Sequence, residues 1–254
     1  MLKLAVLGSP ISHSLSPRIH QAAYEMMGVA ASYERFEVAE DSFENFFHAH
    51  QDWNGFSLTM PLKTIGIEVC GFVTDAVKEI AAVNTLVFRD GIWNGYNTDV
   101  LGFDYLLKER DLRDIAILGA GGTAKAALYA LAGREIGARV YRRSTSRDAE
   151  LIRANSRIEI FPWEEVGDAF SASLLINTLP ITAFDSELKA LSPKDYVLDS
   201  LYHPWPTPLA QSTDPSHYCS GKDLLVAQAL FQIELFTGSI IDKEELFKHL
   251  RALI

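Results

Sequence analysis

Short apolar runs that stop at glycine are the most regular feature of the hydrophobic pattern. Two of them, LAVLG at 4–8 and IAILG at 115–119, each lead into a helix-like segment. An apolar run followed by a helix is the pattern of a buried parallel strand in a βα unit. Because one run opens the chain and the other lies near its middle, the pattern predicts two α/β domains in tandem.

The first half is predicted to contain strands, a helix and a hairpin. The predicted elements are strands at 3–7, 33–38 and 55–59, a helix from about Pro17 to Gly28, and a helix at about 100–110. Between them, the segment AVNTLVFRDGIWNGYNTD predicts a hairpin that turns at Asp90 and Gly91.

The second half alternates more regularly between strands and helices. The predicted elements are strands at 115–118, 138–142, 173–177 and 196–199, with a helix at 122–132. From Leu224 onward the pattern is helical with a break at Gly238. The pattern alone leaves open which domain these last helices pack on.

Composition and charge narrow the functional class. The chain has 254 residues, of which 48% are hydrophobic and 22% charged, the profile of a globular protein with a sizeable core. Its formal net charge is −10. Broad binding to nucleic acid or anionic membrane requires a basic surface, so both are disfavoured. An anionic ligand would need a local cluster of positive charge.

The cysteines and the apolar stretches indicate a cytoplasmic protein. Cys70 and Cys219 form neither a disulfide framework nor a metal-spaced pair, and we expect ordinary thiols of a reducing compartment. The first residues, MLKLAVLGSP, are too short for a signal peptide. The apolar stretch at 115–133 is interrupted by Lys125 and several glycines, so we do not expect a membrane span there.

A glycine loop follows the strand at 115–118. ILGAGGTAKA places Gly119, Gly121 and Ala124 in the G-x-G-x-x-A pattern at the start of the next helix. The first glycine permits a tight turn, the second lets the backbone approach a pyrophosphate, and the helix N-terminus attracts the phosphates. The pattern alone is weak and fits a simple tight turn, but its strand–loop–helix context favours dinucleotide binding.

Arginines lie at the end of the next strand, where dinucleotide-binding units contact the ribose that differs between NAD and NADP. An NAD-binding unit carries an acidic residue there for the ribose 2′-hydroxyl. Here the strand ends in VYRRSTSR, with Arg142, Arg143 and Arg147 around Ser144. Guanidinium groups suit a 2′-phosphate, so the loop predicts NADP, although a solvated basic loop is the simpler alternative.

Hydroxyl, amide and charged residues cluster in the motifs of the first half. SHSLSPRIH offers Ser12, Ser14 and Ser16 before a helix; Ser16 is a candidate N-cap, and the three hydroxyls are also candidates to hold a carboxylate. In AVNTL and GYNTD, Asn84 and Asn97 are candidate turn residues.

The two remaining groups carry opposite charges. Asp99 is a candidate cap for a helix near Val100, and Lys63 follows Pro61 in SLTMPLK as either a solvated strand end or a ligand-binding cation. Taken together with the amides and hydroxyls, the set suits a polyhydroxylated acid.

Seven motifs in order along nearly the whole chain resemble the shikimate dehydrogenase family. They are SHSLSP, TMPLK, AVNT at 82–85, NTD at 97–99, GAGGTA, YHPWPTP and VAQALFQIELFTG. The resemblance implies NADP-dependent interconversion of 3-dehydroshikimate and shikimate, a step towards chorismate and aromatic amino acids, with no metal. It also implies a monomer or homodimer.

The resemblance further implies a fold and a set of site residues. The fold is α/β, with a substrate and catalytic domain at 1–101, a Rossmann NADP domain at 102–221, C-terminal helices at 222–254 returning to the first domain, and a cleft between the domains. Lys63 and Asp99 would be the catalytic pair. The implied substrate-binding residues are Ser14, Ser16, Thr59, Asn84, Asp99, Tyr202 and Gln228. The implied cofactor-binding residues are Gly119, Ala120, Gly121, Gly122, Thr123, Ala124, Arg142, Arg143, Ser144, Arg147, Thr178, Leu201, Gly221 and Leu224.

Several positions depart from the usual family pattern. Ser57 stands where the family generally has asparagine, and we expect it to alter supporting hydrogen bonds but not the reaction. Arg142 replaces the common asparagine before the cofactor-side arginine. After Gly221, Asp223 brings a carboxylate to a segment that is apolar or glycine in many members, which bears on cofactor affinity.

Three other functions stay open from the sequence. A quinate or dual quinate/shikimate dehydrogenase shares most of the motifs, but such enzymes often prefer NAD, which the arginines disfavour. A methylene-tetrahydrofolate dehydrogenase shares the two-domain plan but not the serine and Asn-Thr-Asp motifs. A non-catalytic sensor would have no need of both Lys63 and Asp99.

Overall fold

The computed structural model describes residues 1–110, 112–184 and 186–254. The chain divides into two compact units: Met1–Gly102 with Leu225–Ile254, and Phe103–Leu224. The predicted return of the C-terminal helices to the first domain is confirmed, because Leu225–Ile254 belongs to the same unit as Met1–Gly102.

The first unit is built on a mixed six-stranded sheet in the order β2-β1-β3-β5-β6-β4. Its strands are β1 (Leu2–Gly8), β2 (Ala31–Glu37), β3 (Gly55–Leu58), β4 (Phe72–Val73), β5 (Thr85–Arg89) and β6 (Ile92–Tyr96). Its helices are α1 (Ser16–Met27), α2 (Phe43–Ala49), α3 (Asp75–Ile80) and α10 (Lys243–Leu253), while α4 (Thr98–Leu107) and α9 (Gly221–Thr237) carry the chain between the units.

Strand direction brings several loops of this unit to one edge of the sheet. Strand β1 pairs in parallel with β3, so Gly8 and Leu58 end at the same edge. Strand β5 runs antiparallel to β3 and begins at that edge, and β6 runs antiparallel to β5 and ends there. The segments after β1, β3 and β6 and the residue before β5 therefore lie close together.

An aromatic core supports the sheet on one face. Phe56 on β3 stacks with Trp53 and with Trp93, with ring centroids 5.5 Å apart in both pairs. Phe47 of α2 packs on Trp93 at 5.0 Å. Stacked and tilted pairs of this kind add to the apolar area that the core buries. The core therefore packs firmly against one face of β3, β5 and β6, next to the edge where the loops meet.

The second unit is built on an all-parallel sheet. Its strands are β7 (Ile115–Leu118), β8 (Ala138–Arg142), β9 (Ile158–Pro162), β10 (Leu174–Asn177), β11 (Tyr196–Asp199) and β12 (Tyr218–Cys219), and its helices are α5 (Gly122–Ala132), α6 (Asp148–Ala154), α7 (Ser186–Lys189) and α8 (Pro208–Ser212). The order β9-β8-β7-β10-β11-β12 is that of a Rossmann sheet, with its switch point between β7 and β10. The predicted α/β fold is confirmed.

Most predicted elements agree with the structure, and the errors have local causes. The strands at 115–118, 138–142 and 196–199 and the helix at 122–132 are confirmed, and so is the hairpin, which turns at Asp90 and Gly91. The sequence missed β9, because glutamate and proline interrupt its apolar residues, and it missed the two-residue strands β4 and β12.

The predicted N-cap of α1 is wrong. The helix begins at Ser16, its cap residue is Leu15, and no side chain caps it there. Instead, the hydroxyl of Ser14 accepts the backbone N–H of Ser16 at 3.3 Å. The Ser14 hydroxyl thus provides a hydrogen-bond acceptor for the first backbone N–H of the helix from two residues before it.

In the described ranges, no helix is both long enough and apolar enough to cross a membrane.

A fully buried histidine lies in the first unit. His20 of α1 stacks on Tyr33 with ring centroids 4.0 Å apart, and its ring nitrogens bond to Tyr24 and Gln232. Burial disfavours the charged imidazolium and lowers the pKa of His20 from 6.5 to about 3. The imidazole is therefore neutral wherever the protein is folded near neutral pH.

Neutral His20 predicts a specific pH dependence of stability. Its stabilising contribution is fully present above pH 6.5 and is lost as the pH falls towards 3, since only the unfolded chain takes up the proton. Between pH 7 and pH 5 this removes about 2 kcal/mol from the free energy of unfolding. Urea unfolding of the His20→Gln variant should lack this part of the pH dependence.

The control for this measurement is His48→Gln, because His48 is exposed on α2. That variant should keep the pH dependence of the wild type. If the free energy of unfolding of His20→Gln falls between pH 7 and pH 5 as steeply as that of the wild type, the assignment of this pH dependence to His20 is contradicted.

Candidate active site

A lysine–aspartate pair lies at the shared edge of the first sheet. Lys63, in the segment after β3, donates from Nζ to Asp99 Oδ2 at 2.6 Å. The Lys63 side chain is 25% exposed and that of Asp99 14% exposed. The pair is therefore mostly out of water, and Lys63 is held in place by a partner instead of ending a solvated strand. That it also binds a ligand stays a prediction.

Asn84, directly before β5, holds the other oxygen of the same carboxylate. Its Nδ2 donates to Asp99 Oδ1 at 2.9 Å and to Thr98 Oγ1 at 3.0 Å. Its Oδ1 accepts the backbone N–H of Thr98 at 2.7 Å. Because a backbone N–H can only donate, this last bond fixes which end of the amide faces Asp99.

The cap of α4 is Asn97, and the expectation that Asp99 caps this helix is wrong. Asn97 Oδ1 accepts from the backbone N–H groups of Asp99 and Val100 at 3.1 and 3.4 Å, and its Nδ2 donates to Ala82 O at 2.9 Å. Since Asn97 satisfies the helix start, the Asp99 carboxylate is available to Lys63.

Gln228 joins this group from α9. Its Oε1 accepts from Thr98 Oγ1 at 3.2 Å, and its Nε2 donates to Leu225 O at 2.7 Å. A Cβ at Gly102 would lie 3.0 Å from the backbone nitrogen of Gln228, so glycine permits the close crossing of α4 and α9. The structure thus brings Lys63, Asn84, Asp99 and Gln228 into one hydrogen-bonded group.

The remaining candidates of the first unit follow strands that end at the same edge. Thr59 comes directly after β3, is half-buried, and donates its backbone N–H to Leu7 O at 2.9 Å. Ser14 is half-buried and Ser16 is buried at the start of α1. Within the part of the chain that the structure describes, these hydroxyls share the edge but form no hydrogen bond with the Lys63–Asp99 pair.

In the second unit the glycine loop has the geometry expected for a dinucleotide. Gly119 has a φ of +107°, and a Cβ there would lie 2.6 Å from Thr178 Oγ1. Gly121 is the N-cap of α5, and a Cβ on Gly122 would meet no atom within 4 Å, so the start of the helix borders open space. Ala120 and Thr123 are half-buried in this turn, and Ala124 is fully buried beneath it. The loop fits a pyrophosphate.

The three arginines at the end of β8 and just after it differ in what they contact. Arg142 is engaged by Asp148 through two hydrogen bonds of 2.7 Å. Arg143 is exposed, donates to Ala183 O at 3.1 Å and lies 4.7 Å from the centroid of the Trp163 ring. Arg147 is exposed beside the glycine loop and donates to Ala120 O at 3.5 Å, while exposed Ser144 caps the short turn between them. Sequence reasoning missed the role of Asp148.

A buried carboxylate anchors the segment that contains Tyr202. Asp199 is fully buried and accepts hydrogen bonds from Asn177, Leu201 N, Thr207 and Tyr218. Leu201 O in turn accepts the backbone N–H of Gly221, at the start of α9. Tyr202 is half-buried, and burial raises the pKa of its phenol. The segment is therefore held at both ends.

Asp223 takes part in a helix cap. Its Oδ2 accepts from Ser220 N at 2.8 Å and from Ser220 Oγ at 2.6 Å, which is the capping arrangement of a helix N-terminus. Leu224, one residue on, is buried. The carboxylate that departs from the family pattern thus has a structural role at the start of α9.

Sequence reasoning overlooked one buried polar residue close to the site. Gln232 is 2% exposed and bonds to Asn84 O and Thr85 Oγ1. The signal was available, because Gln232 follows Gln228 by four residues and so lies on the same face of the helix.

Comparison with known proteins identifies the family. The family model described as the shikimate dehydrogenase substrate binding domain matches residues 6–86. The curated NADP⁺ shikimate dehydrogenase of Caldanaerobacter subterraneus subsp. tengcongensis is 32% identical, over 97% of this chain and 95% of that protein.

Solved structures agree with this match. The shikimate dehydrogenase of Mycobacterium tuberculosis is 31% identical with a TM-score of 0.87, over all of both chains. The shikimate 5-dehydrogenase of Thermus thermophilus, solved with NADP(H) and shikimate, is 28% identical with a TM-score of 0.83, again over all of both chains. The chain belongs to the shikimate dehydrogenase family.

Proposed function

We propose that the chain catalyses the reversible NADPH-dependent reduction of 3-dehydroshikimate to shikimate. The observation that carries this proposal is the Lys63–Asp99 pair, with Asn84 on the second carboxylate oxygen. A cation of this kind, partly exposed at a group of amides and hydroxyls, suits the reduction of a ketone on a polyhydroxylated acid. Membership of the shikimate dehydrogenase family supports the same substrate.

Lys63 acts on the oxygen of the reacting carbonyl. NADPH, when bound, supplies the hydride that reduces the carbonyl carbon. The electron pair of the C=O bond then moves to oxygen, and the Lys63 ammonium hydrogen-bonds that oxygen and donates a proton from Nζ. In the oxidation of shikimate, Lys63 Nζ accepts the hydroxyl proton. Asp99 keeps the ammonium in position through its 2.6 Å bond.

The substrate contacts follow from the groups at the edge of the first sheet. Ser14 and Ser16 bind the substrate carboxylate with neutral donors near the start of α1. The ring hydroxyls are bound by Thr59, Asn84, Asp99 and Gln228, with Tyr202 close to the substrate. The hydrogen bonds that already join Asn84, Asp99 and Gln228 through Thr98 hold these groups ready for a ligand with several hydroxyls.

NADP is bound by the second unit. The loop from Gly119 to Ala124 holds the pyrophosphate, and Thr178, Leu201, Gly221 and Leu224 line the rest of the cofactor site. Arg143, Ser144 and Arg147 bind the 2′-phosphate from exposed positions. Arg142 contributes by holding this loop through Asp148.

Substrate binding and NADP binding are assigned to different segments of the chain. Residues 1–101 with 222–254 bind the substrate and carry out catalysis, and residues 102–221 bind NADP. The protein acts in the cytoplasm as a monomer or a homodimer.

An absorbance assay of the reduced cofactor tests the function. Purified protein is offered shikimate or quinate, each with NADP and with NAD, at neutral to alkaline pH. Rapid reduction of NADP with shikimate alone is the expected result. Turnover of quinate, or a preference for NAD, would overturn the substrate or cofactor assignment. NADP binding without turnover in any combination would favour a non-catalytic sensor.

The Lys63→Ala variant tests the proton donor. Loss of the ammonium should lower kcat by about 10²–10⁴-fold, the usual contribution of general acid–base catalysis. NADP binding, measured by fluorescence titration, should be unchanged because the cofactor residues lie in other segments of the chain. Wild-type kcat in this variant would contradict the role of Lys63.

Lys78→Ala is the matched control. Lys78 pairs with Asp75 on the exposed surface of α3 in the same unit, so its removal takes away a similar ion pair from a position outside the site. This variant should retain the wild-type kcat.

A further inference from the structure

A chain of buried hydrogen bonds leads from the core of the first unit to Asp99. Its members lie on four different elements: Tyr33 on β2, Ser57 on β3, Thr85 on β5 and Gln232 on α9. Ser57, Thr85 and Gln232 are each at most 5% exposed. Buried polar groups of this kind must be hydrogen-bonded. Here each group donates to the next one in the order that leads to Asp99.

Gln232 is the centre of this chain, and its orientation is fixed. Its Nε2 donates to the backbone oxygen of Asn84 at 3.2 Å and to Thr85 Oγ1 at 2.9 Å. A backbone carbonyl can only accept, so the amide nitrogen must face Asn84. The Oε1 atom then accepts from Ser57 Oγ at 2.9 Å and from His20 Nε2 at 3.2 Å.

The groups on the side of Gln232 away from Asp99 also donate towards Gln232. Since Ser57 donates to Gln232, its oxygen accepts from Tyr33, whose hydroxyl lies 2.6 Å away. His20 is neutral and carries its proton on Nε2, so its Nδ1 accepts from Tyr24 at 3.0 Å. Ser57 and His20 therefore both donate to the same atom, Gln232 Oε1.

The groups in front of Gln232 lead to the carboxylate. Thr85 Oγ1, which accepts from Gln232, donates to Asn84 Oδ1 at 2.8 Å. The backbone N–H of Thr98 donates to the same oxygen at 2.7 Å, and the Thr98 hydroxyl lies 3.2 Å from it, so Asn84 Oδ1 faces donors. The amide nitrogen of Asn84 is thereby turned to Asp99 Oδ1 at 2.9 Å.

We propose that Gln232 is a positioning residue for the reaction, because it holds Asn84 at two points and Asn84 orients the Asp99 carboxylate. One contact is to the Asn84 backbone oxygen, and the other reaches its side-chain oxygen through Thr85. Without Gln232, Asn84 keeps its backbone bonds to Leu58 and Tyr96 but loses both contacts that depend on Gln232, so its amide and the carboxylate it holds shift relative to Lys63. This inference rests on the proposed function, and Gln232 acts through Asn84 and Thr85, to which it bonds, and not by a hydrogen bond of its own to Lys63 or Asp99 in the described part of the chain.

The Gln232→Ala variant tests the proposal. A loosened Asn84 misplaces the Lys63–Asp99 pair, so kcat for shikimate oxidation should fall about 10- to 100-fold, the effect of a displacement near 1 Å. NADP binding should be unchanged. Gln21→Ala is the matched control, because Gln21 is exposed on α1 and its side chain bonds to Glu25 on the same helix; its kcat should equal the wild-type value.

A rescue variant tests whether the amide contact to Thr85 carries the effect of Gln232. Ser57 lies directly opposite Thr85 in the antiparallel pair of β3 and β5, so an asparagine at position 57 can present its amide to Thr85 Oγ1. Gln232→Ala makes room for that side chain. The double variant Ser57→Asn/Gln232→Ala should therefore recover most of the lost kcat, because the amide contact to Thr85 Oγ1 is restored.

Two results would overturn the proposal: a folded Gln232→Ala protein with wild-type kcat, or a folded double variant as slow as the single one. If Gln232→Ala does not fold, Thr85→Val decides by the same criterion, since it removes the hydroxyl link at nearly constant volume. A Thr85→Val protein with wild-type kcat would then overturn the proposal.

Hydrogen exchange of the Asn84 side-chain amide separates this inference from the proposed function. Measured by NMR without substrate, exchange should be slow in the wild type and faster in Gln232→Ala, and equal rates would overturn the positioning role. A wild-type protein that does not oxidise shikimate but shows this difference would contradict the proposed function and leave the role of Gln232 supported.

Discussion

The Asp99 carboxylate lies mostly out of water, with 14% of its side chain exposed, and a buried anion of this kind needs partners on both oxygens. Lys63 bonds to one oxygen and Asn84 to the other. Together the two bonds restrict rotation of the carboxylate. The ammonium of Lys63 is thereby held at a defined point, and the proposed chemistry depends on that point.

The fold supplies this arrangement through strand direction. Lys63 follows β3, Asn84 precedes β5 and Asp99 follows β6, and the antiparallel pairing of these strands brings all three segments to one edge. The stacked rings of Trp53, Phe56 and Trp93 pack the same strands from behind. A stiff hydrophobic core therefore supports a small polar group whose members are far apart in sequence.

Local signals in the sequence predicted much of this structure, and long-range contacts decided the rest. The apolar runs before Gly8 and Gly119 were sufficient to predict the two βα beginnings. In contrast, Asn97 and Asp99 are equally good helix caps by residue type. Only the structure shows that Asn97 caps α4 and that Asp99 pairs with Lys63, 36 residues earlier. Likewise, the spacing of Gln228 and Gln232 places both on one face of α9, but it does not indicate that Gln232 bonds to Asn84, 148 residues away.

The central claim is that Lys63 and Asp99 act as one unit, and a double-mutant cycle on kcat tests it most directly. The variants are Lys63→Ala, Asp99→Ala and the combination, each compared with the wild type at saturating substrate. If the two residues form one unit, the double variant should be no slower than the slower single variant. If the two losses in kcat instead multiply in the double variant, the residues act independently and the account is contradicted.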